Sequence, residues 1–351
     1  MIQNLLHKRN TLGVYIAVIL WAYLTIQMIS KSLVWKQKTP KINEEFNIID
    51  RKLNSKLSIS KDYPNLHQRR IPSNPSIQTS ICSNLPNALI IGSKKSGTTA
   101  LKEMLNLHSK IQVFGQIHFF DKNQNYYKGL NWYKSKFKRA SCNVSILLEK
   151  TPAYFTSREA AERVSSMNHS IKLILILRNP TTRLISDYVH SKLVGEIGNN
   201  VTFRDAVFDS LGNVSNRSKL IDESIYTKHV SCWLNFFSRK DLHIVDGEEF
   251  IKSPWVELEK VENFLGIERE LKKEIFYYNS SLGFYCLVKV EKDTECVNEG
   301  QTGVLQKGRS HPDIPENETK LLNRYFYTKN KDLYRLIGRN LSFLPRILEN
   351  I

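Results

Sequence analysis

The 351-residue sequence predicts an α/β domain with a central, mostly parallel sheet flanked by helices. Two continuously apolar segments, Ala88–Ile91 and Lys172–Leu177, are typical of parallel strands that are buried on both faces. Each is followed by a segment with helical periodicity, and strands that alternate with helices along a chain favour a parallel sheet.

The remaining elements follow from hydrophobic periodicity. In chain order the predicted elements are strand 88–91, helix 98–107, strand 146–148, strand 172–177, helix 181–192, helix 226–237, strand 242–245 and helix 255–265. Gly266 is predicted to end the last helix, because glycine readily adopts the left-handed conformation that follows a helix C-terminus.

The loop between the first strand and the first helix has a phosphate-binding pattern. Gly92 and Gly97 have the Gly-x-x-x-x-Gly spacing of a nucleotide P-loop and enclose Lys94 and Lys95. Backbone N–H groups and the positive helix end converge there, which favours an anion. Thr98 occupies the position of the nucleoside-triphosphatase lysine, so the domain is P-loop-like with a displaced lysine.

A second anion site is predicted at the next buried strand. Arg178 ends that strand, at the sheet edge where open α/β folds bind ligands. Ser186 follows about two helical turns later, so both side chains can reach one phosphate. A P-loop kinase commonly places a magnesium-binding Asp at such a strand end. The position is Arg178 here, which predicts side-chain neutralisation of the phosphates without a metal and favours sulfuryl transfer.

Composition indicates a polyanionic partner. The chain has 51 Lys and Arg against 34 Asp and Glu, a formal net charge of +17. Nucleic acid, an acidic lipid surface and an acidic glycan all fit this charge. A generally basic, solvated surface is the alternative interpretation.

The N-terminal region predicts a membrane protein. Residues 12–30 form an almost uncharged apolar run long enough to cross a bilayer, without a clear cleavage site, and are predicted to be a transmembrane signal anchor. Residues 1–11 are then a cytosolic tail and 31–85 an extended stem. Residues 86–351 form the catalytic domain.

Sequons and cysteines favour a luminal location for this domain. Eight Asn-x-Ser/Thr sequons begin at Asn143, Asn168, Asn200, Asn213, Asn216, Asn279, Asn317 and Asn340. Cys286 and Cys296 close a short loop and are predicted to form a disulfide, with two free thiols as the alternative. Cys82, Cys142 and Cys232 show no obvious arrangement, and no Cys/His set has zinc-site spacing.

Several blocks together carry a family resemblance. Segment 90–99 resembles the 5′-phosphosulfate loop of sulfotransferases that use 3′-phosphoadenosine 5′-phosphosulfate (PAPS), and segment 177–188 resembles their 3′-phosphate motif. The blocks 118–121, 129–133, 149–155, 243–247, 283–286 and 307–312 resemble heparan sulfate glucosamine 3-O-sulfotransferases, in family order.

The resemblance implies roles for individual residues. Lys95 would neutralise charge on the leaving phosphate. The loop residues Lys94, Ser96, Gly97, Thr98 and Thr99 would bind the 5′-phosphate, and Arg178 and Ser186 the 3′-phosphate. The residues implied to close over the nucleotide are Tyr285, Lys307, Gly308, Arg309, Ser310 and His311. Those implied to contact the acceptor are Gln116, His118, Lys150, Thr151, Pro152 and Ala153.

The sequence departs from the family pattern at the catalytic base. Family members carry a glutamate where this chain has Gln116, and a neutral amide is not a useful proton acceptor. A second departure is His190, where the family has a glutamine. If residues 116–118 are extended, Gln116 and His118 point to the same face, so His118 could be the base, with Asp121 orienting it.

Three interpretations therefore stay open at this point. His118 replaces the glutamate, or the chain binds PAPS and glycan with little or no turnover, or the acceptor is not a glucosamine 3-hydroxyl. The expected reaction is transfer from PAPS to that hydroxyl of heparan sulfate. The alternatives are another glycan sulfotransferase, acting on nitrogen or another oxygen, and a catalytically silent binding protein. The expected protein is a single-pass type II Golgi membrane protein with a luminal catalytic domain and no nucleic-acid partner.

Overall fold

Five parallel strands form the central sheet of the protein in a computed structural model, which describes residues 85–280, 284–288, 294–295 and 312–344. The strands are β1 (Ala88–Gly92), β2 (Ile111–Gly115), β3 (Ile146–Lys150), β4 (Lys172–Leu177) and β5 (Leu242–Asp246), and their spatial order is β2-β3-β1-β4-β5. The predicted parallel α/β sheet is confirmed, with β1 at its centre.

Burial explains why the central strands read as continuous apolar runs. Every residue of β1 and β3 is buried, and so are five of the six in β4. Alternate residues face opposite layers: Leu89 and Leu173 pack on one side, and Ile90 and Ile174 on the other. Helices cover both faces, so both sets of side chains are removed from water.

Twelve α-helices lie in the described part of the chain. They are α1 (Thr98–Leu105), α2 (Asn123–Tyr126), α3 (Gly129–Ser135), α4 (Arg158–Met167), α5 (Pro180–Leu193), α6 (Phe203–Val207), α7 (Lys219–Asp222), α8 (Tyr226–Leu234), α9 (Gly247–Lys252), α10 (Pro254–Leu265), α11 (Glu316–Asn330) and α12 (Leu333–Ile337). Short 3₁₀ turns occur at Pro152–Tyr154, Arg239–Asp241 and Lys273–Ile275.

Residues with well-known capping preferences stand at the start of α5 and at the end of α10. Asn179 caps α5, its side-chain oxygen accepting from the Thr182 N–H at 3.1 Å, and Pro180 takes the first helical position. Gly266 ends α10 in the left-handed conformation, as predicted. The other predicted helices also exist, with boundaries that move by up to three residues.

A second, antiparallel sheet was not predicted. It consists of β6 (Phe276–Asn279), β7 (Phe284–Val288) and β8 (Thr294–Glu295). Cys286, in β7, is disulfide-bonded, and so is Cys142, for which the sequence indicated no arrangement. The predicted partner Cys296 lies outside the described residues, directly after β8. Cys232 is a free thiol.

The predicted cytosolic tail, signal anchor and stem lie outside the described residues except for residue 85. Among the helices that are described, none combines the length and the apolar character needed to cross a bilayer. The membrane anchor therefore stays a prediction from the sequence.

Candidate functional site

A large cleft lies at the carboxyl ends of the parallel strands. It has a volume of about 1040 Å³, at the edge where α/β sheets of this kind bind ligands. Fifteen predicted site residues line it: Lys94, Lys95, Ser96, Gly97, Thr98, Thr99, Gln116, His118, Asp121, Lys150, Pro152, Ala153, Arg178, Ser186 and Tyr285. The fold thus brings residues from six separate segments of the chain into one cavity.

The start of α1 is built to receive an anion. Gly97 precedes the helix with φ 106°, a left-handed conformation that favours glycine, and its missing side chain provides no cap. The first N–H groups of α1 therefore have no side-chain acceptor at the helix start, where the helix dipole is positive. A phosphate group fits this arrangement.

The loop before α1 is held close to the sheet. A Cβ atom on Gly92 would lie 2.5 Å from Cβ of Phe155, so only glycine allows this approach. Ser93 donates its N–H to the Ile176 carbonyl at 2.9 Å, and the Ser93 and Ser96 hydroxyls lie 2.5 Å apart. Ser96 is almost fully buried, so its side chain supports the loop from behind.

Lys94, which the resemblance assigns to phosphate binding, forms ion pairs with two carboxylates. Its ammonium lies 3.2 Å from Asp187 Oδ1 and 3.2 Å from Glu196 Oε2. Burial lowers the pKa of Lys94, but the charges of Asp187, Glu223 and Glu196 outweigh this effect and raise the pKa overall. Lys94 therefore stays charged and connects the loop to the helix that carries Ser186.

A buried ionic network continues behind Lys94. Arg183 is fully buried, and its Nη1 lies 2.8 Å from Asp187 Oδ2 and 3.6 Å from Glu223 Oε2. Burial opposes ionisation of Asp187, but Arg183 and Lys94 lower its pKa. Burial and the neighbouring Asp187 charge raise the pKa of Glu223, against the effect of Arg183. Of the two carboxyl groups, Asp187 is thus the stronger acid.

Arg178 and Ser186 reach the cleft from consecutive elements. Arg178 follows β4, and Ser186 lies on α5, and both line the cavity. The Arg178 Nε is 3.7 Å from Glu248 Oε1, beyond hydrogen-bond distance. The Arg178 carbonyl accepts from the Tyr226 hydroxyl at 2.9 Å, and burial raises the pKa of Tyr226 to about 12. Tyr226 is therefore a neutral donor that fixes the backbone at Arg178.

The chain after β2 is not extended, which corrects the premise for placing Gln116 and His118 on one face. Gln116 has φ 40° and His118 φ 53°, both in the left-handed region. With Lys95, at φ 69°, they are the three non-glycine residues with positive φ in the described part of the chain. Such backbone conformations are costly and cluster at functional sites. All three side chains nevertheless line the same cleft.

The His118 imidazole forms a hydrogen bond with the Asp121 carboxylate. The distance from Nδ1 of His118 to Oδ2 of Asp121 is 2.8 Å. A carboxylate accepts from the Nδ1–H, so the neutral imidazole carries its lone pair on Nε2. The His118 side chain is 24% exposed and that of Asp121 is 10% exposed. The imidazole is therefore oriented by a carboxylate and open to the cleft.

The backbone of this turn is held by the end of β3 and by the residues that follow this strand. The N–H of Gln116 donates to the Lys150 carbonyl at 2.7 Å, and the N–H of His118 to the Thr151 hydroxyl at 3.4 Å. The N–H of Phe119 donates to the Tyr154 hydroxyl at 3.1 Å. These contacts form a clamp, which we define as Glu149, Lys150, Thr151 and Tyr154, that keeps His118 in its unusual conformation.

Glu149 is the buried centre of the clamp. Its carboxylate accepts hydrogen bonds from the hydroxyls of Thr151 and Tyr133. Burial raises the pKa of Glu149, although these hydrogen bonds favour its charged form. Tyr133 and Tyr154 also have pKa values raised well above the usual range by burial and by the Glu149 charge. Both phenols therefore remain donors.

Thr151 is placed differently from the acceptor-contact role that the resemblance implies. It is fully buried behind the cleft wall, where it donates to Glu149 and accepts from the backbone of His118. Lys150, Pro152 and Ala153 do line the cleft. Lys307, Gly308, Arg309, Ser310 and His311 lie outside the described residues. Among the residues that are described, no three His, Cys, Asp or Glu side chains cluster closely enough to hold a metal ion.

Several cleft residues were missed by sequence reasoning. Lys122, Glu196, Lys219 and Glu223 line the cavity, and Glu149 supports it from below. Lys219 and Glu223 lie on or beside the short helix α7, far from any recognisable motif, so no local pattern marks them. Glu149 lay inside a block that the resemblance covered, and its position at a buried strand end was the available indication.

Comparison with known proteins agrees with this geometry. Residues 85–317 match the family described as "Sulfotransferase domain". The chain is 40% identical over 268 residues to mouse heparan sulfate glucosamine 3-O-sulfotransferase 5, covering 75% of each chain. It is 35% identical over 288 residues to human heparan sulfate glucosamine 3-O-sulfotransferase 3B1, covering 80% of this chain and 72% of the relative.

A solved structure shows the same fold. The sulfotransferase from Alicyclobacillus acidocaldarius aligns with 74% of this chain and 98% of its own, at a TM-score of 0.53 and 20% identity. The fold, the cleft and the extent of sequence identity lead to one conclusion: the chain belongs to the heparan sulfate glucosamine 3-O-sulfotransferase family.

Proposed function

We propose that the protein transfers the sulfuryl group of PAPS to the 3-hydroxyl of a glucosamine residue in heparan sulfate. The observation that carries the proposal is the placement of the His118–Asp121 pair in the same cleft as the uncapped start of α1. One feature supplies a proton acceptor and the other an anion site, which are the two requirements of sulfuryl transfer to a hydroxyl.

The donor half of the cleft fits a nucleotide with two phosphate groups. The start of α1 with Lys95 would hold the 5′-phosphate, and Arg178 with Ser186 the 3′-phosphate. PAPS would supply the sulfuryl group and leave as the bisphosphate. Lys95 would stabilise the charge that develops on the departing phosphate oxygen, which preorganised cations do without reorganisation cost.

In the acceptor half, His118 is proposed as the base. Its Nε2 would accept the proton of the glucosamine 3-hydroxyl while the new O–S bond forms and the S–O bond to the phosphate breaks. Asp121 would hold the imidazole and stabilise the resulting imidazolium. Gln116 would position the hydroxyl as a hydrogen-bond partner, a role that an amide can fill.

The test is direct transfer of labelled sulfate. The full-length protein is incubated with ³⁵S-labelled PAPS and defined heparan sulfate oligosaccharides, and mass spectrometry locates any new sulfate. Label on the glucosamine 3-oxygen supports the proposal. Label at a nitrogen or another oxygen assigns a different glycan sulfotransferase activity.

Gln116 specifically favours a second candidate, a silent protein that binds both PAPS and glycan. Because Gln116 takes the position of the family's carboxylate base, loss of turnover with retained binding is the expected property of such a protein. Calorimetric binding of both ligands without any sulfate transfer would identify it.

We also propose that the protein is a single-pass type II Golgi membrane protein with a luminal catalytic domain. The apolar run 12–30 and the eight sequons support this location. Expression in a eukaryotic cell tests it: carbonate extraction should leave the protein in membranes, and glycosidase digestion should lower its apparent mass.

A further inference from the structure

The surface that adjoins the acceptor side of the cleft is strongly basic. Residues 122–148 contain six Lys and Arg residues and no Asp or Glu. All six are exposed, and none forms an ion pair with a carboxylate of the described chain; they are Lys122, Lys128, Lys134, Lys136, Lys138 and Arg139. The absence of acidic residues is specific to this segment, because the whole sequence contains 34 Asp and Glu residues.

An aromatic platform organises part of this surface. The Lys128 and Lys136 ammonium groups lie 4.6 and 4.2 Å from the ring centroid of Trp132. These contacts restrict two long side chains that would otherwise be mobile. Tyr127 lies directly beside Lys128 in the chain and is 78% exposed. We name the set Lys122, Tyr127, Lys128, Trp132 and Lys136 the lysine–tryptophan ridge.

The ridge is attached to the catalytic turn. Asn125 donates to the carbonyls of Ile117 and His118, at 3.3 and 3.0 Å, and accepts from Lys128 at 3.2 Å. Lys122 belongs to both regions, because it also lines the cleft. The basic surface therefore begins at the cleft and continues outward along α2 and α3.

We propose that the lysine–tryptophan ridge binds the sulfated glycan chain beyond the sugars held in the cleft, and so makes the protein select long acceptors. This inference rests on the proposed function. The occupant is identified by charge and shape: a polyanion that emerges from the cleft meets exposed cations with no competing carboxylates. Exposed aromatic rings such as Tyr127 offer an apolar face to sugar rings, and their polar edge stays in water.

The test compares acceptor lengths with a matched control. Lys128→Ala/Lys136→Ala removes the two ammonium groups on Trp132. The control, Lys110→Ala/Lys240→Ala, removes two exposed lysines that precede strands β2 and β5 and so lie at the opposite edge of the sheet. The acceptors are a heparan sulfate tetrasaccharide and a dodecasaccharide, and the full-length protein is used throughout.

We expect the ridge variant to raise KM for the dodecasaccharide roughly 3- to 10-fold, the effect of losing two exposed charge contacts. Its kcat and its KM for the tetrasaccharide should match wild type, and the control should match wild type with both acceptors. An unchanged KM for the dodecasaccharide in the ridge variant overturns the inference. So does an equal rise in the control, which would indicate a general charge effect.

Equilibrium binding of the oligosaccharides tests this inference independently of the proposed sulfotransferase activity. If the wild-type protein transfers no sulfate, equilibrium binding of the same two oligosaccharides replaces KM. Weaker dodecasaccharide binding in the ridge variant alone then supports the ridge, although the proposed function has failed. Binding of a DNA duplex of equal charge as tightly as the dodecasaccharide, with the same dependence on the ridge, overturns the assignment to a glycan.

Discussion

Nδ1 of His118 lies 2.8 Å from Oδ2 of Asp121, on a turn whose backbone is held in the left-handed region. The contact sets which imidazole nitrogen carries the proton, and the turn sets where the imidazole points. We predict that His118→Ala lowers kcat roughly 10²- to 10⁴-fold, the usual contribution of a general base. Asp121→Asn should lower kcat less, because the imidazole loses only its orientation and its counter-charge.

Sulfate transfer measured at saturating PAPS checks this prediction. His169→Ala is the matched control, because His169 is an exposed histidine away from the cleft. Wild-type rates in His118→Ala would exclude His118 as the base.

A carboxylate at position 116 should rescue the loss of the imidazole. Gln116 lines the same cleft as His118 and also adopts a left-handed backbone conformation. We predict that Gln116→Glu in the His118→Ala background restores transfer by roughly tenfold or more, because a carboxylate accepts the proton that an amide cannot. Gln116→Ala in the same background serves as the control. Equal rates in the two double variants would mean that position 116 does not face the reacting hydroxyl.

Thr151, in the clamp, should affect turnover without contacting either ligand. Thr151 donates to Glu149 and accepts from the His118 N–H, and it is fully buried. Thr151→Val keeps the shape but removes both contacts, so we expect kcat to fall roughly tenfold as the imidazole is displaced. KM for the acceptor should be nearly unchanged. Thr151→Ser keeps the hydroxyl and should restore kcat; a Ser variant as impaired as the Val variant would argue against the clamp.

Substitution of the two adjacent loop lysines, Lys94 and Lys95, should lower kcat to very different extents. The Lys94 ammonium is 3.2 Å from each of two carboxylates, Asp187 and Glu196, which compensate its charge. Lys95 follows in a strained conformation and lines the cleft. We predict that Lys95→Ala lowers kcat roughly 10²- to 10³-fold, the effect of removing one preorganised charge from a transition state. Lys94→Ala should lower it less than tenfold, and equal losses in rapid-quench turnover would contradict the distinction.

Much of the fold and of the donor site could be predicted from the sequence, because it depends on properties of short continuous segments. Ala88–Gly92 and Lys172–Leu177 are apolar throughout since both of their faces are covered. The Gly92–Gly97 spacing marks a loop whose glycines are required by a close approach and a positive φ. Apolar runs and glycine spacing can be recognised directly in the sequence.

The features of the site that could not be predicted depend on contacts between residues that are far apart in the sequence. Glu223 forms an ion pair with Arg183, which lies 40 residues earlier in the sequence, and no sequence pattern near either residue predicts this contact. The left-handed turn at Gln116 and His118 is held by hydrogen-bond acceptors at the end of β3 and just after it, against the preference of both residue types. The extended geometry that was the condition for placing both side chains on one face is therefore not met, although both side chains do reach the cleft.

Acid should destabilise the domain through a histidine far from the cleft. His243, on β5, stacks on Phe264 at 5.2 Å, and its buried Nε2 has no hydrogen-bond partner among the described residues. Burial, assisted by the charge of Arg339, lowers its pKa from 6.5 to about 4. The unfolded chain therefore takes up a proton between these pH values that the folded protein does not bind. Unfolding thus becomes easier as pH falls through this range.

From pH 7.5 to pH 5 this histidine should remove about 2 kcal/mol from the free energy of unfolding. His243→Phe keeps an aromatic ring against Phe264 and cannot titrate, so its loss over the same interval should be smaller by that amount. His169→Ala, at an exposed position, should retain the wild-type dependence. Urea unfolding followed by tryptophan fluorescence at the two pH values measures the difference. Identical pH dependence in wild type and His243→Phe would show that His243 is not the group whose protonation weakens the fold.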